Sequence, residues 1–448
     1  MTMPFDKNRV AFITMGCAKN EVDSDQMSRR LASAGYRIIE DPREADVVIV
    51  NTCSFIQAAT EESIEAILDA AGYENIASGE ARLVVAGCMP SRYKEDLAPE
   101  LPEVNRFVPC AQEDDIVAII GELMGVDATQ KADDDAEVPY ASFTDQDALP
   151  PSGNVQAYVK ISDGCNRFCA YCTIPYIRGR YHSFTEEQIT NEVSRLVDSD
   201  VREIVLIAQD TGRWGDDFEQ PSTLAQLVSN LAEAFSSTWF RIMYIQPEGV
   251  TDELIEAMAT HDNICSYFDI PFQHCDGHVL ERMNRKGSRE EYLNLIASIR
   301  KRIPDVTLRT TLIAGFPGET EQQFDDLCDF IEEADLDYVG VFPYSREENT
   351  RAYELDGQVD EDEKMARAQR LRDIADAVSG PRIAQRIGKH MDVLVCGAEE
   401  DGQLYGRAMC QAPDVDGVTY LSTGERGDIV SVVIEDTLLY EMEGEVIS

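Results

Sequence analysis

Cys165, Cys169 and Cys172 form a C-x3-C-x2-C group within eight residues. A four-iron cluster ordinarily takes four cysteines, so three thiolates leave one iron with an open position, much as a catalytic zinc keeps one coordination site free. A small molecule can then bind the metal directly, and S-adenosylmethionine is such a molecule. Zinc is the rival occupant. Its structural sites take four ligands, usually as two Cys or Cys/His pairs, and no second pair stands near this group. The spacing therefore favours a cluster, with Cys165, Cys169 and Cys172 as the candidate catalytic and metal-holding residues.

A second set of cysteines follows predicted strands. The apolar runs Val10-Ala11-Phe12-Ile13, Val47-Val48-Ile49-Val50 and Leu83-Val84-Val85-Ala86 suit buried parallel strands. Helices should alternate with them, over Glu21 to Ala34 with Gly35 as its cap, and over Ala58 to Ala71 with Ile64, Ile67, Leu68 and Ala71 on one face. This pattern predicts an open parallel α/β domain over residues 8–125. Each strand leads into a cysteine, at Cys17, Cys53 and Cys88. In open α/β sheets ligands bind beyond the carboxyl ends of strands, so these three can converge and hold a second cluster. A single cysteine after a strand is commonly just a small buried residue; three in a row favour the cluster. Cys110, after Phe107-Val108-Pro109, ends a possible fourth strand and reads as inert packing.

Residues 126–150, with Asp133-Asp134-Asp135, Glu137, Asp145 and Asp147, read as an acidic linker. Over 151–381, strands such as Tyr158-Val159-Lys160-Ile161, Glu203 to Ile207, Phe240 to Tyr244, Leu308 to Ile313 and Tyr338 to Phe342 alternate with helical stretches. They predict a partial β/α barrel, with the three-cysteine loop at its carboxyl-end mouth. Gln209-Asp210 and the turn Gly315-Phe316-Pro317-Gly318-Glu319 follow two of these strands. Over 382–448 short alternating strands separated by Gly and Asp turns predict a small all-β barrel. His274 reads as a hydrogen-bonded structural histidine.

The chain has 84 acidic and 39 basic residues in 448, a formal net charge of −45. Such a surface repels phosphate backbones and suits a basic protein partner, unless the acidity is a general habit of the source. Residues 383–448 repeat the imbalance: the bases there are Arg386, Lys389, Arg407 and Arg426. No apolar run suggests a signal peptide or membrane span, and twelve unevenly spaced cysteines suggest reduced thiols and metal, so a cytoplasmic, monomeric protein is expected.

Several segments together resemble the methylthiotransferases of the radical S-adenosylmethionine superfamily. They are Met15-Gly16-Cys17-Ala18-Lys19-Asn20 with Val22-Asp23-Ser24, the three-cysteine loop continued by Thr173-Ile174-Pro175 and Arg178-Gly179, Ala208-Gln209-Asp210-Thr211, Pro271-Phe272-Gln273-His274, Arg309-Thr310-Thr311, and Gly406-Arg407 with Gln411 to Gly417. The resemblance runs from about residue 8 to the end, and implies a cluster domain, a radical domain and a C-terminal TRAM domain. Within the group the acidic last domain is similar to the branch that modifies ribosomal protein twelve of the small subunit at the β-carbon of an aspartate. The tRNA-modifying branch and a non-catalytic iron-sulfur carrier are the alternatives. The resemblance implies two 4Fe-4S clusters, on Cys17, Cys53 and Cys88 and on Cys165, Cys169 and Cys172. S-adenosylmethionine would serve as radical source and methyl donor, with Tyr171, Gln209, Gly315, Gly318 and Glu319 near it. It further implies partners that donate electrons and sulfur. Two positions depart from the pattern: Arg180 to Phe184 carries His182 and Phe184 where basic residues are usual, and Cys110 stands where a small residue is common.

Overall fold

The computed structural model describes residues 8–125 and 154–447; the acidic segment expected over 126–150 lies outside them. The described chain divides into two compact units. One comprises 8–125 with Asp163–Asn166 and Cys172–Ile189, and the other 154–162, Arg167–Tyr171 and 190–447. Among the described residues no helix is long and apolar enough to cross a membrane.

The first unit is built on a five-stranded parallel sheet: β1 (Arg9–Thr14), β2 (Arg37–Ile38), β3 (Val47–Thr52), β4 (Arg82–Gly87) and β5 (Arg106–Pro109), in the order β2-β1-β3-β4-β5. Its apolar runs are continuous because both faces are covered. Val48, Val50, Leu83 and Val85 face one core with Ile67 and Ala70 of the helix Gln57–Ala71. Val47, Ile49, Val84 and Ala86 face the other, with Met27 and Leu31 of the helix Ala18–Ser33 and Ile116, Ile119 and Ile120 of the helix Ile116–Met124. The helix Gln57–Ala71 is rotated from the expected orientation. Thr60, Ser63, Ile67 and Ala70 point inward, while Leu68 is 50% exposed. Polar contacts set that rotation: the Ser63 hydroxyl accepts from Cys53 N–H (3.1 Å) and donates to the Cys53 carbonyl (2.8 Å), and Ser54 hydrogen-bonds Thr60 at 2.7 Å.

The second unit contains six parallel strands: β6 (Gln156–Lys160), β9 (Glu203–Ile207), β10 (Trp239–Ile242), β11 (Tyr267–Asp269), β12 (Thr307–Ala314) and β13 (Tyr338–Pro343). The short β7 (Ser162–Asp163) pairs with β8 (His182–Ser183), which belongs to the first unit together with Asp163. The ladders β10-β9-β6 and β11-β12-β13 are joined by a parallel bridge from Phe240 to Ile264, which gives a partial barrel. Helices Leu224–Ala234 and Glu321–Ala334 each start with a capping box, Thr223 with Gln226 and Thr320 with Gln323. The helix Glu361–Ala384 then leads into β14 (His390–Ala398), β15 (Leu404–Ala408), β16 (Thr419–Leu421), β17 (Ile429–Leu438) and β18 (Glu441–Val446). These close as β14-β15-β16-β18-β17 and leave no free edge.

This small barrel docks on the strand starts of the larger one through buried charge. Glu203, the first residue of β9, is fully buried between Arg241 Nε (2.7 Å) and Arg407 Nη2 (2.6 Å). Asp416 accepts from Tyr267 OH (2.7 Å), and Arg386 pairs with Asp337 at 2.9 Å. Arg407 and Arg386, two of the four bases of residues 383–448, are thus spent internally. Burial alone would raise the Glu203 pKa, but Arg407 and Arg241 hold it below the usual carboxylate range. A group with a lowered native pKa stabilises the fold above its unfolded pKa and loses that contribution as pH falls through the native one. Glu203→Ala leaves two buried guanidiniums unpaired, at a cost of about 3–5 kcal/mol. Urea midpoints across pH check this: the wild type should exceed the variant at neutral pH, and the gap should close below about pH 4.

Candidate active site

Because the first sheet is parallel, the carboxyl ends of β1, β3, β4 and β5 lie along one edge, and a cysteine follows each: Cys17, Cys53, Cys88 and Cys110. Pairing of Thr52 with Gly87 and of Gly87 with Pro109 sets Cys53, Cys88 and Cys110 in line. Gly16 lies against Cys53, at φ +94°; a Cβ there would come within 2.8 Å of Cys53 Sγ, so only glycine leaves that sulfur room. Burial raises the Cys53 pKa, opposed by the Phe55 amide and the Arg178 guanidinium. The Cys110 pKa is raised by its hydrogen bond with Cys88 and then by burial.

Arg178 connects this edge to the three-cysteine loop. Its guanidinium is buried and pairs with Asp23 (2.8 Å) and Asp163 (3.3 Å), donates to Asn20 Oδ1 (2.8 Å), and reaches Cys88 Sγ at 3.8 Å. Thr173 Oγ1 donates to the Phe55 carbonyl (3.1 Å) and Cys165 N–H to the Gly179 carbonyl (3.2 Å). Within the first unit, then, the segments bearing Cys165 and Cys172 pack on the sheet edge bearing Cys17, Cys53 and Cys88.

In the second unit the stretch Arg167–Tyr171 lies among the strand ends of the partial barrel. Ala170 N–H donates to the Met283 carbonyl (2.8 Å), and Asn284 Nδ2 donates to the carbonyls of Arg167 and Phe168 (3.0 Å each). Arg285 places Nη1 3.9 Å from Cys169 Sγ and Nη2 2.7 Å from the Pro271 carbonyl. Burial opposes its charge, yet Tyr171 and Cys169 keep its pKa above the ordinary arginine value. Arg167 pairs with Asp210 (2.5 Å) and Glu248 (3.1 Å). Phe168, Tyr244, Gln273 and Asn284 all have φ between +51° and +70°, rare for side chains of this size and a mark of functional loops.

Residues 159–331 match the model of the Radical SAM superfamily, residues 9–109 that of Uncharacterized protein family UPF0004, and residues 387–447 that of the TRAM domain. The chain is 43% identical over 445 residues to the ribosomal protein uS12 methylthiotransferase RimO of Trichlorobacter lovleyi, covering 98% of each chain. It is 40% identical over 443 residues to that of Clostridioides difficile, covering 98% of this chain and 99% of the other. The chain belongs to the RimO family. Among solved structures it is similar to the radical S-adenosylmethionine methyltransferase TsrM of Kitasatospora setae, with TM-score 0.57, 14% identity and 75% of each chain covered. It is also similar to the cobalamin-dependent radical enzyme OxsB, with TM-score 0.53, 11% identity, 83% of this chain and 58% of that one covered. At such identity these two show the fold alone.

A 4Fe-4S cluster and S-adenosylmethionine follow from the radical superfamily to which the RimO family belongs. The chain's residues fit them. Within the second unit the stretch Arg167–Tyr171, which carries Cys169, sits at the strand ends, and there Gln209 Oε1 and Gln246 Oε1 are buried acceptors with no hydrogen-bond partner, as a ligand's donors would require. Among the described residues no three His, Cys, Asp or Glu side chains gather round a single metal ion; in a cluster each thiolate takes its own iron, so its ligands stand further apart.

Of the expected cofactor residues, Tyr171 lies near Arg285. Glu319 is buried and accepts from the Gly315 amide (3.1 Å) and Arg367 (2.7 Å), with His274 Nε2 at 3.4 Å, so its carboxylate shapes the Gly315–Gly318 turn. His274 is fully buried and its Nδ1 accepts from Asp276 N–H (3.0 Å), as a structural histidine would. Sequence reasoning passed over Gln246, Arg285 and Arg167. It quoted Asn20, Asp23 and Arg178 within motifs without a role.

Proposed function

We propose that this protein attaches a methylthio group to the β-carbon of an aspartate in ribosomal protein uS12. An aliphatic C–H beside a carboxylate has no acidic proton at neutral pH, so side-chain bases cannot begin the reaction and a cofactor must supply a one-electron route. A cluster held by Cys165, Cys169 and Cys172, with S-adenosylmethionine bound at it, would supply that chemistry. Around it Gln209 and Gln246 offer acceptors, Tyr171 an aromatic face, and the Gly315–Gly318 turn, held by Glu319, a close backbone approach. Cys17, Cys53 and Cys88 would hold a second cluster from which sulfur is delivered.

The observation that carries this reading is the brace from Arg178 to Asp23, Asp163 and Asn20. It ties the segment after Cys172 to the sheet edge of the second cysteine trio, as sulfur insertion beside a radical centre demands. A basic ribosomal protein suits the chain's formal net charge of −45. Electrons and sulfur would come from separate donors. Intact mass of uS12 from cells with and without this gene tests the proposal. A gain of one methylthio group that depends on the gene is expected. An unchanged mass, together with loss of methylthio-adenosine from tRNA in the deletion strain, would transfer the reading to the tRNA-modifying branch.

A further inference from the structure

The first sheet presents one thiol more than a three-cysteine cluster uses. Gly87 pairs with Pro109 on neighbouring parallel strands, which run about 4.8 Å apart, and Cys88 and Cys110 are the next residues out on each. Disulfides span Cα separations of about 4.4–6.8 Å. Ser91 fixes the pair from the side: its hydroxyl donates to the Gly87 carbonyl (3.0 Å) and accepts from Cys110 N–H (2.8 Å). Both residues thus leave the same edge of the sheet, bridged through one serine hydroxyl. A fourth cluster ligand would stand away from Cys88, because each thiolate takes a different iron. A cysteine one strand over from Cys88, in matching register, is placed instead to bond with it.

We propose that Cys110 is the resolving thiol of Cys88, protecting this ligand from peroxide when the cluster is lost. Cys88, as thiolate, attacks hydrogen peroxide; the O–O bond breaks, hydroxide leaves and Cys88 becomes a sulfenic acid. Cys110 then attacks that sulfur, the S–O bond breaks, water leaves and a Cys88–Cys110 disulfide forms. Two sulfurs are oxidised by two electrons in all, and one peroxide is reduced to two waters. A dithiol returns both cysteines. Without Cys110 the sulfenic acid meets further peroxide and becomes a sulfinic acid, which a dithiol does not reverse. The disulfide stands on the sheet geometry; its value to iron loading rests on the two-cluster reading above.

The test uses the full chain stripped of metal, treated with hydrogen peroxide, alkylated and digested without reduction. The wild type should yield a peptide pair joined through Cys88 and Cys110 that dithiothreitol separates. Cys110→Ser should yield no such pair and should carry sulfinic acid at Cys88. After dithiothreitol and anaerobic reloading, the treated wild type should regain a clearly larger share of its untreated iron than treated C110S does, the difference approaching one cluster of two. A Cys88–Cys53 link, or equal sulfinic acid at Cys88 in both proteins, overturns the proposal. Untreated wild type that loads a single cluster overturns the two-cluster reading and the iron arm with it, while the peptide map still decides the disulfide.

Discussion

Cys169→Ala stops the release of 5′-deoxyadenosine from S-adenosylmethionine. Losing merely an outer partner of a metal ligand commonly costs about 10–100-fold in metal affinity or activity, and losing one of only three thiolates costs more. The expected fall therefore exceeds about 100-fold. On the two-cluster proposal, iron in the reconstituted variant should drop from about eight atoms per chain to about four, because the other trio is untouched. Cys169 is half-buried, and the backbone around it is held independently by Asn284 and Met283. The fold should thus survive, and an unchanged urea midpoint confirms that the lost cleavage is chemical in origin. Cleavage within about ten-fold of the wild type, at half the iron, would mean that the radical chemistry does not depend on this loop.

Much of the first unit was legible because physics leaves a local trace there. A strand covered on both faces must be apolar at every position, so Val47 to Val50 and Leu83 to Ala86 could be read directly, and a cysteine directly after such a run falls at the sheet edge. The three-cysteine loop was legible from spacing alone. What escaped was set by contacts distant in sequence. The helix Gln57–Ala71 has an apolar stripe through Ile64 and Leu68, but hydrogen bonds from Ser63 and Ser54 turn it, and no periodicity encodes them. β11 is only three residues long, Tyr267–Asp269, too short to show a strand pattern. Glu203 and Arg241 stand inside predicted strands with no partner assigned, and Arg407 counts only as a base of the last domain, until folding brings 203 and 407 together in a buried interface. Arg178 stands six residues past Cys172 and its significance lies in Asp23 and Asn20, more than 150 residues earlier.

Cys17→Ala separates the two trios in the opposite sense. Iron again falls from about eight atoms to about four, yet S-adenosylmethionine cleavage stays within roughly three-fold of the wild type, as expected for sites that contribute independently. Methylthiolation of uS12 falls more than about 100-fold, since a radical without a sulfur source cannot complete the product. Cys17 suits this test better than its partners. Cys53 packs against Gly16, and Cys88 Sγ donates to Asn20 Oδ1, so changes there mix cluster loss with disturbance of the sheet edge. Uncoupled cleavage with no methylthio product, measured by mass spectrometry of uS12 alongside 5′-deoxyadenosine, is the signature of two clusters with divided labour. If C17A retained full iron and full product, the three strand-end cysteines would be packing residues, and the sulfur would have to enter elsewhere.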